Sequence, residues 1–239
     1  MNIAANVAIH KKIPVGIFSL EMPKEALAKR LLCAESSIDS LKIDTSNLKD
    51  SDYKQMSKAV ERLSNAPIFI DDSAEMTILQ IQTKARRLKA EQDIKLIVLD
   101  FLTLIKSSGQ RRDSNRYLEV SDWARTLKAL AKELAVPVIV ISQLNREVEK
   151  GGGNISGSRL PKISDLRDSG EIEQVADVVL LLHCPSYQDT EGAVIDHTIE
   201  IHVAKNRNGP IGKARLAFLK KFSKFENLEQ GGTPPDAPV

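Results

Sequence analysis

Three polar side chains in this sequence each close a short apolar run. Glu21 follows residues 14–20, Asp100 follows Leu96-Ile97-Val98-Leu99, and Gln143 follows residues 136–142. Apolar runs of this length, rich in Val and Ile, read as strands buried on both faces of a sheet. In open α/β sheets ligands bind outside the carboxyl ends of the strands. A carboxylate there is well placed to hold a hydrated Mg²⁺ beside nucleotide phosphates. A second carboxylate to orient water and an amide to sense phosphate complete the set needed for nucleoside triphosphate hydrolysis. Any one of the three alone is equally a strand-ending or helix-capping residue.

The elements that must position them alternate between strand and helix patterns. Residues 1–9 read as the end of a helix without a start signal, with Ile3, Val7 and Ala8 as its apolar positions. Pro23 suits the first turn of a helix with Leu27, Leu31 and Ala34 on one face. Asp50 or Ser51 can cap a helix whose Tyr53, Met56, Val60 and Leu63 share a face. Residues 67–70 form a strand ending in Asp71-Asp72. Thr77 and Gln80 have the form of a capping box ahead of Ile78, Ile81, Ala85 and Leu88. Residues 118–134 form a long helix with Ala124, Leu127, Leu130, Ala131 and Leu134 inward, and Trp123 reads as packing. Residues 107–116 and 146–170 are polar and aperiodic, the second stretch reading as a long functional loop. Residues 178–182 read as another buried strand. Residues 198–205 and 214–218 form a hairpin around Asn208-Gly209. This order predicts an α/β fold, a mostly parallel twisted sheet with helices on both faces and a C-terminal antiparallel hairpin. One domain spans 1–228, and the proline- and glycine-rich 229–239 reads as a disordered tail.

Composition narrows the partners. The 239 residues carry a net charge of only +2, so any nucleic-acid contact has to be local. Cys33 and Cys184 lie far apart, which fits a reducing compartment and argues against a disulfide framework or a zinc site. No signal-peptide pattern and no apolar run long enough to span a bilayer is evident, so a cytoplasmic location and no membrane partner are expected.

Six words then appear in order: IFSLEM from Ile17, LIVLDFL from Leu96, LKALAKEL from Leu127, SQLNR from Ser142, SDLRDSG from Ser164 and KNRNGPIG from Lys205. Together they closely resemble the C-terminal RecA-like motor domain of DnaB-type replicative DNA helicases, from about Met1 to Asn227. The resemblance implies ATP and Mg²⁺ as cofactors. Glu21 would activate the attacking water, Asp100 would be the Walker B carboxylate in the Mg²⁺ shell, and Gln143 would sense the terminal phosphate. Arg167, Asp168 and Gly170 fall on the family's loop for single-stranded DNA. Lys205 and Arg207 match the pair that reaches a nucleotide held by the neighbouring subunit; residues two apart on a strand point to one side. The implied partners are single-stranded DNA, five further copies in a homohexameric ring, a primase and a helicase loader.

The sequence departs from the family at Asp168 (usually Glu), Asn206 (often Gln) and Phe101 (often Tyr). The larger departure is the absence of a glycine-rich loop ending in Gly-Lys-Thr or Gly-Lys-Ser. Gly151-Gly152-Gly153 and Gly209-Pro210-Ile211-Gly212-Lys213 lack the spacing or the strand-to-helix context. Residues 1–4 resemble the middle of the helix that follows that loop. The strand before the loop, central in RecA-like sheets, and the family's N-terminal collar domain would be missing too. Two alternatives remain beside an ATP-driven helicase motor: a truncated, non-catalytic paralogue that keeps DNA and subunit contacts, and a RecA- or KaiC-like ATPase.

Overall fold

The computed structural model describes residues 1–107, 116–145, 160–166, 169–184 and 198–228. The expected tail, the residues Arg167 and Asp168, the triple glycine at 151–153 and most of the loop 146–170 lie outside the described residues.

Four strands, β1 (Val15–Ser19), β2 (Ile68–Asp71), β3 (Leu96–Asp100) and β4 (Val138–Val140), form one parallel sheet in the order β2-β1-β3-β4. Their alternating side chains explain why the runs are apolar throughout. Val15 and Ile17 of β1, with Leu96 and Val98 of β3, pack on Ala4 and Ala8 of the N-terminal helix. Phe18, Ile97 and Leu99 face the other way, into a core with Ile81, Ala85, Val120, Trp123, Leu127 and Leu130. Both faces are covered, as a parallel sheet requires. Gly16 marks the closest approach on the second face, where a Cβ would lie 3.3 Å from Ile94 Cδ1 and 3.4 Å from Leu88 Cδ1.

The first helix, α1 (Asn2–Ala5), runs on into a π-helical turn, Asn6–His10. Helix α2 (Lys24–Ser36) begins after Pro23, and its Lys24 N–H donates to Asp72 Oδ2 at 2.9 Å, since Pro23 offers no side-chain cap. Helix α3 (Ser40–Asp44) is capped by Asp39, which accepts from Leu41 N–H at 2.9 Å.

Helix α4 (Asp50–Ser64) turns inward a face that differs in part from the expected one. Tyr53 and Val60 are exposed, while Asp52 and Ala59 are buried and Met56 and Leu63 half-buried. Met56 and Leu63 stay inward as expected, Asp52 and Ala59 replace Tyr53 and Val60, and the Asp52 carboxylate accepts from Lys49 N–H at 3.1 Å to close the first turn.

Helix α5 (Ile78–Gln92) starts as read, with Thr77 N–H donating to Gln80 Oε1 at 2.8 Å and Gln80 N–H donating to Thr77 Oγ1 at 3.3 Å. Helix α6 (Arg116–Leu134) buries Leu127 and Leu130, and Trp123 packs with them.

The C-terminal hairpin is present but is the middle of a second sheet. Strands β5 (Val178–His183), β6 (Thr198–Asn206), β7 (Gly212–Leu219) and β8 (Lys224–Asn227) are antiparallel in the order β5-β6-β7-β8. Helix α7 (Ser169–Val175) precedes β5, and only its first two residues fall in the stretch 146–170 that reads as loop. Strand β5 is buried on one face only. Val179 and Leu181 are covered, whereas Val178, Leu180 and Leu182 are 48%, 48% and 56% exposed. On the covered face, Glu200 of β6 is buried and accepts from Arg215 Nε of β7 at 2.8 Å. The His202 ring lies 3.1 Å from Glu200 Oε2 and edge-on to His183. The N-terminal helix meets the segment around β8 at Asn2, whose amide donates to Ser223 O at 3.0 Å and accepts from Phe225 N–H at 3.2 Å.

Candidate functional site

The parallel pairing sets three of the expected residues along one edge. β1 and β3 pair with Ser19 opposite Asp100, and β3 and β4 pair with Leu99 opposite Val140. Glu21, Asp100 and Gln143 therefore follow three adjacent strands, β1, β3 and β4, at their carboxyl ends. Glu21 and Gln143 are exposed and Asp100 is half-buried.

The turn that carries Glu21 is fixed from below. Ser19 is buried, and its Oγ donates to Met22 O at 2.7 Å and accepts from Met22 N–H at 3.2 Å. Leu20 N–H donates to Asp100 O at 2.7 Å, tying this turn to the end of β3. The start of α1 lies at the same edge. Burial pushes the Met1 α-amino group below its ordinary range, and the Asp100 charge acts on it in the opposite sense. Beside Gln143, the Ser142 hydroxyl is buried and, among the described residues, has no hydrogen-bond partner.

Asp100 stands as a lone carboxylate. Among the described residues there is no group of three or more His, Cys, Asp or Glu that could hold a metal. That suits Mg²⁺, which keeps several waters and is bound through one or two carboxylates plus substrate phosphates rather than in an all-protein cage. Cys33 and Cys184 are free thiols.

Lys205 and Arg207 stand elsewhere, at the end of β6 and in the turn after it, facing α7. Lys205 Nζ donates to Glu173 O and, at 3.3 Å, to Gln174 O. Arg207 Nη2 donates to Gln174 O, and its Nη1 lies 3.6 Å from Asp177 Oδ1. Asn206 turns away, accepting from Asn208 N–H and donating to Pro210 O, each at 3.2 Å. A Cβ on Gly209 would lie 2.8 Å from the Asn206 amide nitrogen, so a side chain there would push the Asn206 amide aside. The Gly209-to-Lys213 segment thus links antiparallel strands and is not a phosphate-cradling loop. Of the candidate DNA-contact residues only Gly170 is described, in the first turn of α7.

The sequence reading missed two positioning features of this region. Ser19 had a signal, a small polar residue at the last position of a strand. Asp177 sits between α7 and β5, and its contacts with Lys128 and Arg207 are set by tertiary packing, which no spacing reveals.

A parallel sheet flanked by helices, with carboxylates and an amide at its carboxyl edge, is the arrangement of α/β domains that bind ligands at the carboxyl ends of their strands. Comparison with known proteins names the family. The model of the DnaB-like helicase C-terminal domain matches residues 1–227, and the chain belongs to that family. It is 45% identical over 241 residues to the replicative DNA helicase DnaC of Bacillus subtilis, covering 99% of this chain and 52% of the relative. It is 46% identical over 232 residues to the replicative DNA helicase DnaB of Geobacillus stearothermophilus, covering 96% of this chain and 49% of the relative. A solved DnaB-like replicative helicase, described with its interactions with primase, superposes with a TM-score of 0.84 at 34% identity over 95% of this chain and 53% of that one. The fold is RecA-like, as the sequence predicted. The chain spans about half the length of the relatives it matches.

Proposed function

We propose that this chain is the motor domain of an ATP-dependent replicative helicase that moves along single-stranded DNA as a homohexameric ring and unwinds duplex DNA. The observation that carries the reading is the placement of Glu21, Asp100 and Gln143 after three adjacent parallel strands. In this reading Glu21 takes a proton from the attacking water and Gln143 binds the terminal phosphate. Asp100 holds the Mg²⁺ shell, which neutralises charge on the phosphates when bound. Lys205 and Arg207 serve the nucleotide of the neighbouring subunit, and Arg167, Asp168 and Gly170 lie on the DNA-contacting loop, where the arginine and backbone N–H groups meet the phosphates of single-stranded DNA. A primase and a loader are the expected partners, and the cytoplasm the expected location.

The β- and γ-phosphates need a loop of backbone N–H groups and a lysine that these 239 residues do not contain. We assign that loop, and the strand leading into it, to the remainder of the complete protein, in line with relatives about twice as long. Three features support this. β4 and β5 are both edge strands, the exposed face of β5 is apolar, and the Ser142 hydroxyl beside β4 has no partner among the described residues.

The test is Glu21→Gln in the complete protein. It should keep ATP affinity within a few-fold and lose about 10²-fold or more in turnover, the scale of a general base. Wild-type turnover would remove Glu21 from the chemistry and, with it, the reading of this edge.

A further inference from the structure

The finger pair does not project freely. Helix α7 ends at Val175, so the carbonyls of Glu173 and Gln174 belong to its last turn, where no further helical N–H follows. Lys205 and Arg207 donate to these carbonyls. Cations are favoured there by the helix dipole as well as by the hydrogen bonds. Two residues on, Asp177 grips Arg207 twice. Its backbone O accepts from Arg207 N–H at 2.9 Å, and its carboxylate lies 3.6 Å from the guanidinium. The second carboxylate oxygen accepts from Lys128 of α6, and α6 is also joined to α7 by Arg125 and Glu171 at 2.8 Å. Asp177 is thus fastened to a long, well-packed helix on one side and to Arg207 on the other. Lys128 foremost, and then Arg207, keep its carboxyl below the usual range, so it is charged wherever the protein works.

We propose that Asp177, with the C-terminal carbonyls of α7, is a positioning site that sets the direction of the Lys205 and Arg207 side chains. The proposal rests on the reading of that pair as a finger acting on the next subunit's nucleotide. An exposed arginine samples many rotamers, and fixing a few of its torsions before the nucleotide arrives lowers the cost of reaching the transition state. Asp177 acts through Arg207 in this proposal. Its loss should therefore change kcat and leave KM for ATP alone.

In the complete, assembled protein, Asp177→Asn keeps the size of the side chain but removes its charge and one of its two acceptor oxygens. It should lower kcat about tenfold while KM for ATP and the affinity for single-stranded DNA stay within about twofold. Asp177→Glu should recover most of the loss. Lys128→Met cuts the tether to α6 but spares the Arg207 contact, and should lower kcat by clearly less than Asp177→Asn does. An unchanged kcat in Asp177→Asn overturns the proposal, as does an equal fall in Lys128→Met, which would reduce Asp177 to packing α6 against α7. A parallel Arg207→Ala separates the two levels. Wild-type turnover there removes the finger reading itself, whereas a dead Arg207→Ala beside a fully active Asp177→Asn removes only the positioning site.

Discussion

The two sheets of this molecule are held together differently. The parallel sheet is apolar on both faces, with Phe18 and Leu99 fully enclosed on one and Val15 and Ile17 on the other. The antiparallel sheet covers one face of β5 and leaves Val178, Leu180 and Leu182 about half exposed. On its covered face a polar clasp, Glu200 with Arg215 and His202, stands where the first sheet has hydrocarbon. The first sheet is buried on both faces but still ends at β4, one of the two edges assigned to the missing strand, and it carries the groups assigned to hydrolysis within one subunit. The second carries the pair assigned to a neighbour, and its bare face fits a region that is finished by other parts of the protein.

The largest effect that would break this contrast is on stability. Leu99→Ala in this chain should cost about 2–5 kcal/mol, because a fully buried leucine leaves a cavity. Leu180→Ala should change stability by no more than about 0.5 kcal/mol in this chain, as exposed positions do. In the complete protein the cost of Leu180→Ala should rise to about 2 kcal/mol if the face is covered there. Urea denaturation of both forms measures all three values, and equal costs at the two positions in this chain would erase the distinction between the sheets.

A smaller effect concerns DNA. In the complete protein Arg167→Ala should weaken single-stranded DNA binding about equally for all base sequences, and flatten the log–log salt slope by about 0.7 for each DNA phosphate that is no longer neutralised. Fluorescence titrations at several salt concentrations measure the slope. An unchanged slope would give Arg167 a structural role.

The smallest effect sharpens the contrast through pH. The Arg215 guanidinium holds the Glu200 carboxyl below its ordinary value of 4.5, helped by His202 and Lys213. A carboxylate depressed in the folded state stabilises it above the unfolded value and loses that contribution as the pH falls through the folded one. Corrected for the intrinsic slowing of exchange in acid, the protection of β6 and β7 amides should therefore fall below about pH 4.5 before that of β1 and β3 does. Glu200→Gln should remove the difference, and simultaneous loosening of both sheets in the wild type would contradict the account.

How much of this was legible in the sequence follows from the same contrast. β1, β3 and β4, and the polar residue after each, could be read from local runs because burial on both faces leaves a continuous apolar signature. The Thr77–Gln80 box was equally local. On α4, Met56 and Leu63 were read correctly, while Asp52 and Ala59 take the places expected of Tyr53 and Val60 because packing against α2, which spacing does not record, chooses the face. The one-sided burial of β5 and the dock of Lys205 and Arg207 on α7 were invisible because both depend on partners more than twenty residues away in sequence. The family words located Lys205 and Arg207, but no word recorded what they rest on.

The central claim is that Glu21 and Arg207 serve one reaction from two different subunits. In the complete protein, Glu21→Gln and Arg207→Ala homohexamers should each lose most ATP turnover, the second by about 10³-fold or more if the finger is of the usual strength. When the two variants are mixed and allowed to exchange subunits, some boundaries unite an intact Glu21 with an intact Arg207. ATP turnover of the mixture, followed against mixing ratio, should then rise above that of either variant alone and peak near equal proportions. Turnover that never exceeds the average of the two pure variants would contradict a finger acting between subunits.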